Sequence, residues 1–544
     1  GGRVRLTAEI VDPTTGTSVY SDSVDGAGED SVLPSMDELL RKMRGRLGES
    51  LGSIGETSAP LADVTTKNLD ALKAYSTGLD SLADGKGQEA NALFAHAVEL
   101  DPDFALAYLA LSNIAYSTGQ KPKAHEYVEK ALAHTDRLGP REKLVADGYK
   151  SIFVDPAAMR EKWSLFARLY PDAMTGQNNL ALGEYWFENA LDDAAANFRI
   201  VVASRHPRRG YSWMLLANIE LAQNDFEAAK KGYATAREVG SPQLNLDPVN
   251  YALATRDFAA AEKTLGEEQT RSFPYFEAEK ALRRASLEVS RGHFEAAAKS
   301  ASEGEAIAKK AKLTAAPERA ELASIAAALA GGDRKAGAAL SAYIAAEAAR
   351  LDAASASFDF SADTHLSLAA MLALRNGAPA DAQRALSALA PHAATNGYFS
   401  IREPYQVAAC EAGIAKDAKE AVRCLEVLVS DTAYYPTQVA LLRAYRAAGD
   451  DAKALATAHW LVDHRGRAVA EYLGEFAAQV PNLIAADEAI VDAAELEQKA
   501  GHADAAKKLV GDLEAAWSTA DRDAPLLRRM HAIDGSSGAE QKKR

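Results

Sequence analysis

The sequence predicts a mainly all-α protein, a solenoid of stacked helical hairpins preceded by the C-terminal part of a small α/β module. Three observations carry that expectation. Hydrophobic residues make up 48% of the 544 residues and aromatic residues only 7%, with alanine very frequent, which favours closely packed helices over sheet. A short phrase of small residues recurs along the chain. The opening residues alternate between apolar and polar, unlike anything that follows.

The α/β module comes first. Val4, Leu6, Ala8 and Ile10 alternate with Arg5, Thr7 and Glu9, the pattern of a half-buried strand. Asp12-Pro13-Thr14-Thr15-Gly16 is turn chemistry, and Ser18 to Val24 reads as the returning strand. Ser35-x-x-Glu38 has the form of a capping box, opening a helix with Met36, Leu39, Leu40, Met43, Leu47 and Leu51 on one face. A two-stranded hairpin is marginal alone. The module is therefore expected to be the end of a domain whose first part lies upstream of Gly1. Residues 1–51 form this module, and 52–67, rich in Gly, Ser, Thr and Pro, form a linker.

The repeat follows. Gly85 precedes Ala90, Phe94, Ala97 and Pro102, and 34 residues later Gly119 precedes Ala124, Val128 and Ala131. The phrase returns as Asn189, Ala194, Phe198, Val201 and as Asn224, Ala229, Tyr233, Ala236. Looser copies start at Arg256, Gly292, Gly377, Gly413, Gly449 and Gly501, and weak ones at Val154 and Gly332, for about twelve units. Gly or Asn at the turn supplies positive φ at a helix end. The alanine five residues on lets the second helix approach the first, and the next two slots share its face. Pro102, Pro171 and Pro207 stop the second helix. One such hairpin of ~34 residues cannot bury its apolar face, so neighbours stack. Residues 68–270 are read as the regular array, 271–533 as a degenerate one and 534–544 as a disordered tail.

Here the chain resembles the tetratricopeptide repeat (TPR) family, with Trp213, Leu216, Ala217, Ala229, Tyr233 and Ala236 on its signature positions. The runs Val64-Thr65-Thr66-Lys67-Asn68-Leu69-Asp70-Ala71-Leu72-Lys73-Ala74-Tyr75, Leu100-Asp101-Pro102-Asp103-Phe104-Ala105-Leu106-Ala107-Tyr108 and Arg141-Glu142-Lys143-Leu144 are similar to the C-terminal regions of TPR-bearing bacterial serine/threonine kinases and class III cyclases. Arg3 to Asp12 with Thr15-Gly16 resembles the α/β module that precedes the repeats there. Asp25-Gly26-Ala27-Gly28 and Ser31 to Ser35 look closest to cyclases of peptide-modification systems. In such proteins a catalytic domain lies before this region, often with a membrane helix between, and the resemblance implies a regulatory arm.

Little in the chain suggests chemistry. The net charge of −15 argues against general nucleic-acid binding. No apolar run approaches the ~20 residues of a membrane helix. Gly85-Lys86-Gly87 sits in an inter-helix turn, not a phosphate loop. His459 and His464 are off the i, i+4 face that zinc sites use. Asp359, Asp363 and His365 read as surface loop chemistry in an insertion, and Glu267 and Glu268 as a solvated helix face. Cys410 and Cys424 flank a turn near Gly413 with an expected offset of ~9 Å, beyond disulfide reach, so both read as buried small hydrophobes. No catalysis, cofactor or metal is expected.

Binding remains. The first helix of each unit should line a concave face. Asn113 and Asn218 occupy the slot where an amide can read a peptide backbone, with bridging between neighbouring helices as the alternative role. Leu109, Tyr116, Asn179, Trp186, Tyr211 and Met214 project near them by helical spacing. The expected function is a protein- or peptide-binding arm of a bacterial signalling protein; a constitutive scaffold for peptide-modification enzymes is the rival. A homodimer stays open. Location follows the upstream context: periplasmic with a membrane helix there, cytoplasmic without one.

Overall fold

The computed structural model describes residues 2–12, 14–49, 60–154, 156–204, 209–239, 248–267, 273–354 and 361–534. Among them, 28 α-helices follow one two-stranded sheet. The chain divides into two compact units, residues 1–117 with 123–150, and residues 118–122 with 151–544.

In the first unit, strands Arg3–Val11 and Ser18–Ala27 pair antiparallel with Leu6 opposite Val24 and Arg5 opposite Asp25. The following helix, Val32–Arg46, begins ahead of the expected capping box. Ser35 lies buried inside it against Gly26, so its hydroxyl caps nothing, and no side chain caps the Ser31 start. Leu33, Leu39 and Met43 are buried, whereas Leu40 and Leu47 are 48% and 69% exposed. A single turn, Leu61–Val64, forms within the stretch read as linker.

The run around Asn68 has a physical purpose. Its side chain accepts from Asp70 N and Ala71 N, capping helix Leu69–Ala83, while its amide donates to Leu100 O at 3.1 Å. Thr66 Oγ1 donates to Asp101 on the same loop. The first helix is thereby started and tied to the end of the second, Gly87–Leu100. At the crossing, a Cβ on Gly78 would sit 2.6 Å from the Phe94 ring, so the close approach needs glycine there.

The punctuation holds along both units. Gly85, Gly119, Asn189, Asn224, Arg256, Gly292, Gly332, Gly377, Gly449 and Gly501 all have positive φ between paired helices. Pro102 and Pro171 follow the ends of Gly87–Leu100 and Pro156–Leu169; Pro207 lies outside the described residues. Gly413 is the exception, with φ −75°. The chain leaves helix Phe399–Ala412 through a longer turn and restarts at Asp417, whose side chain caps Ala418–Glu426. That places Asp417 midway between Cys410 and Cys424, removes the expected offset and brings their Cα atoms to 5.7 Å. The two cysteines form a disulfide, correcting their reading as free apolar residues.

The second unit continues the hairpins, among them Met174–Trp186 with Leu191–Ala203, Arg209–Ala222 with Phe226–Glu238 and Pro274–Ser290 with Phe294–Lys310. Its last long helix, Gln479–Lys499, packs against Pro274–Ser290 and Ala316–Ala330, far earlier in the chain. No described helix is long and apolar enough to cross a membrane.

Candidate partner-binding faces

The eight residues expected on a concave face divide between the units. Leu109, Asn113 and Tyr116 lie on helix Ala105–Ser117 of the first unit. Leu109 is buried, Tyr116 half-buried and Asn113 exposed. The Asn113 amide donates one long bond, 3.4 Å, to the Tyr149 hydroxyl on helix Pro140–Val154. An amide so placed keeps capacity to donate and to accept. Beside Tyr149, Lys150 pairs with Glu129 at 3.2 Å, and Glu129 lies 3.5 Å from His125. Burial pulls the His125 imidazole below its ordinary range against the opposing pull of Glu129.

In the second unit Asn218 is fully buried on helix Arg209–Ala222. Its oxygen accepts from the Tyr233 hydroxyl at 2.7 Å and from Asn250 Nδ2 at 3.1 Å. The chain of bonds continues: Gln479 Nε2 donates to Asn250 Oδ1, while Gln479 Oε1 accepts from Arg283 and Ser286. Asn218 therefore bridges helices, the alternative role for this amide, and a partner does not reach it here. Met214 is buried, and Tyr211 is half-buried. Asn179 accepts from Asn178, with its own Nδ2 buried and without a partner among the described residues. Trp186 stacks on Tyr472, ring centroids 4.9 Å apart.

In the second unit, residues far apart in the chain meet across these helices. Arg465 donates to Leu253 O and Ser290, and Asp487 receives Arg465 and Arg256, each at 2.7 Å. Burial, then the adjacent Arg465, draws Arg256 down to about 10. Gly466 lies directly on the Leu221 carbonyl. Asn224 Nδ2 donates to Asp463 O at 2.8 Å, and Asn189 Nδ2 to Thr432 O at 3.0 Å. Asn189 and Asn224 thus do more than turn the chain. Gln479, Arg465 and Asp487 escape sequence reading, because charged and amide residues on a helix look like a solvated face until a distant helix covers them.

Asp363 and His365 are not loop residues: both are buried in helix Ser361–Arg375. His365 Nδ1 lies 3.4 Å from Glu347. Burial pushes the Glu347 carboxyl up, but His365 and Arg350 outweigh it and hold it below the ordinary range. Asp359, Glu268 and the Glu267 side chain fall outside the described residues. His459 bonds Glu497 and His464 stacks on Trp460, so the two histidines serve different contacts. Among the described residues no group of three or more His, Cys, Asp or Glu could hold a metal ion.

Residues 81–138 match the tetratricopeptide repeat family. The TPR domain of P58(IPK) is a structural match at 13% identity, covering 87% of this chain and 99% of that one with a TM-score of 0.17. None of the curated proteins matches. The TPR assignment therefore covers residues 81–138, the remaining helices continue as TPR-like hairpins, and no enzyme family is indicated.

Proposed function

We propose that this chain is a non-catalytic protein- or peptide-binding solenoid, the regulatory arm of a bacterial signalling protein. Its partner meets the first unit around Asn113, Tyr116 and Tyr149. The carrying observation is the contrast between two equivalent amides: Asn113 is exposed on one long hydrogen bond, while Asn218 is buried with its oxygen accepting two. The TPR match over residues 81–138 spans that helix, and TPR arrays bind protein partners. The signalling context rests on the resemblance of the runs at Arg3–Asp12, Val64–Tyr75 and Leu100–Tyr108. Partner binding would regulate only through different affinity for two states of the protein.

A photo-crosslinking residue at Asn113, and separately at Asn218, tests this in native cells. The expected result is one defined polypeptide captured from Asn113 and nothing from Asn218. Silence at Asn113, with adducts only from outer helix faces, overturns the reading and favours the constitutive scaffold.

A further inference from the structure

Between helices Arg465–Ala470 and Gln479–Lys499 the chain makes an irregular turn. Gly474, Glu475 and Phe476 have φ of 58°, 58° and 66°, three left-handed residues in succession. Glycine adopts that region freely; glutamate and phenylalanine do so only against a local cost from their Cβ atoms. Something else must hold them, and the surrounding helices do.

Each feature of the turn is met by a side chain from an earlier helix. Tyr185 donates its hydroxyl to Ala470 O, and Arg319 donates to Glu475 O. Lys121 pairs with the Glu475 carboxylate. Trp186 stacks on Tyr472, and the Arg283 guanidinium lies 4.6 Å over the Phe476 ring. Tyr211 belongs to the same neighbourhood: it, Arg319, Glu475 and Arg283 all act on half-buried Tyr275, whose hydroxyl is pushed up to about 12, first by desolvation. Backbone carbonyls are read by donors, a carboxylate by a cation, and rings by a flat ring and a guanidinium. This is the chemistry of peptide recognition. Tyr472, Gly474, Glu475 and Phe476 nevertheless stay half-buried, whereas Glu471, Leu473, Ala477 and Ala478 are buried.

We infer that the inner face of the second unit is a peptide site occupied in cis by Glu471–Ala478. It takes in trans a peptide of the same chemistry, a glutamate followed by a large aromatic residue, with a second aromatic four positions before the first. The left-handed strain makes the self-occupied state the one ready to open, since an unstrained competitor need not carry it. This goes beyond the role of Asn113 and concerns the second unit alone.

The test uses the full chain carrying Tyr472→Ala and Phe476→Ala, and a fluorescein-labelled synthetic peptide, Glu-Tyr-Leu-Gly-Glu-Phe-Ala-Ala. Fluorescence anisotropy should show at least tenfold tighter binding to the double variant than to the parent chain, with the gain lost when the peptide's second glutamate is lysine. A cooperatively folded variant that binds no better than the parent overturns the inference. Should the variant fail to fold, amide exchange of the parent chain decides. Amides of 472–478 exchanging at least tenfold faster than those of 480–495 support it. Exchange of both only through global unfolding shows a permanent core element and overturns it.

Discussion

Replacing Gly466 with alanine sets helix propensity against packing, and the sign of the outcome decides between them. Gly466 lies inside helix Arg465–Ala470, where alanine is worth roughly 1 kcal/mol of stability over glycine by propensity alone. A Cβ built there would stand 2.0 Å from the Leu221 carbonyl oxygen, 3.0 Å from its carbon and 3.1 Å from Asn224 Oδ1. Carbon and oxygen normally keep about 3.3 Å apart, so the two helices must separate by more than about 1 Å. The obstacle is backbone and cannot swing aside. Overpacking of this kind costs about 1–3 kcal/mol. The displacement also pulls Arg465 from Leu253 O, at 3.2 Å, and from Asp487, at 2.7 Å, adding about 1–3 kcal/mol. The expected net effect, after subtracting the propensity gain, is a destabilisation of about 1–5 kcal/mol. Urea unfolding followed by tryptophan fluorescence measures it, and amide exchange in helices Arg209–Ala222 and Arg465–Ala470 localises it. A variant as stable as the parent, or more stable by the propensity increment, would refute the contact between these helices.

Three further outcomes follow from buried groups. Asp487→Ala leaves Arg465 and Arg256 facing each other without their shared carboxylate, and unfolding free energy should fall by about 3–5 kcal/mol; a loss below about 1 kcal/mol in urea melts would contradict the buried triad. Burial raises Glu403 from 4.5 to about 8, against hydrogen bonds from Thr437 and Tyr434 N. With the folded value raised, its proton-linked stability is complete below pH 4.5 and lost as pH climbs through about 8. Glu403→Gln should therefore match the parent near pH 4.5 and exceed it by a few kcal/mol at pH 8, since each tenfold change in proton affinity is worth roughly 1.4 kcal/mol. A pH-independent difference between the two denaturation curves would count against it. Reducing the Cys410–Cys424 bond, which closes a segment of sequence separation 14, should cost about 3 kcal/mol and lower the melting temperature. Thiol titration of the unfolded, unreduced chain should find no free thiol.

The strand pattern of Val4 to Ile10 and the turn glycines are legible in the sequence because each depends on a few neighbouring residues. Period-two alternation needs one covered face, and a positive φ at Gly85 or Gly449 is a property of the local backbone. The Ser35 capping box fails for a tertiary reason: Gly26 admits Ser35 into the interior, and the helix extends back to Val32. The disulfide is hidden because the expected offset assumes a tight turn at Gly413, a conformation that the longer turn does not use.

The candidate site divides on the same line. By itself the sequence determined the helical-hairpin unit, its punctuation and which helix of each unit carries Asn113 and Asn218, since these follow from short-range steric and periodic rules. Whether either amide faces solvent was decided only by tertiary structure. Asn218 and Gln479 are joined through Asn250, and Asn224 meets Asp463, across more than two hundred residues. A helix face is polar in sequence whether it meets water or a buried partner, and only the return of the chain settles which.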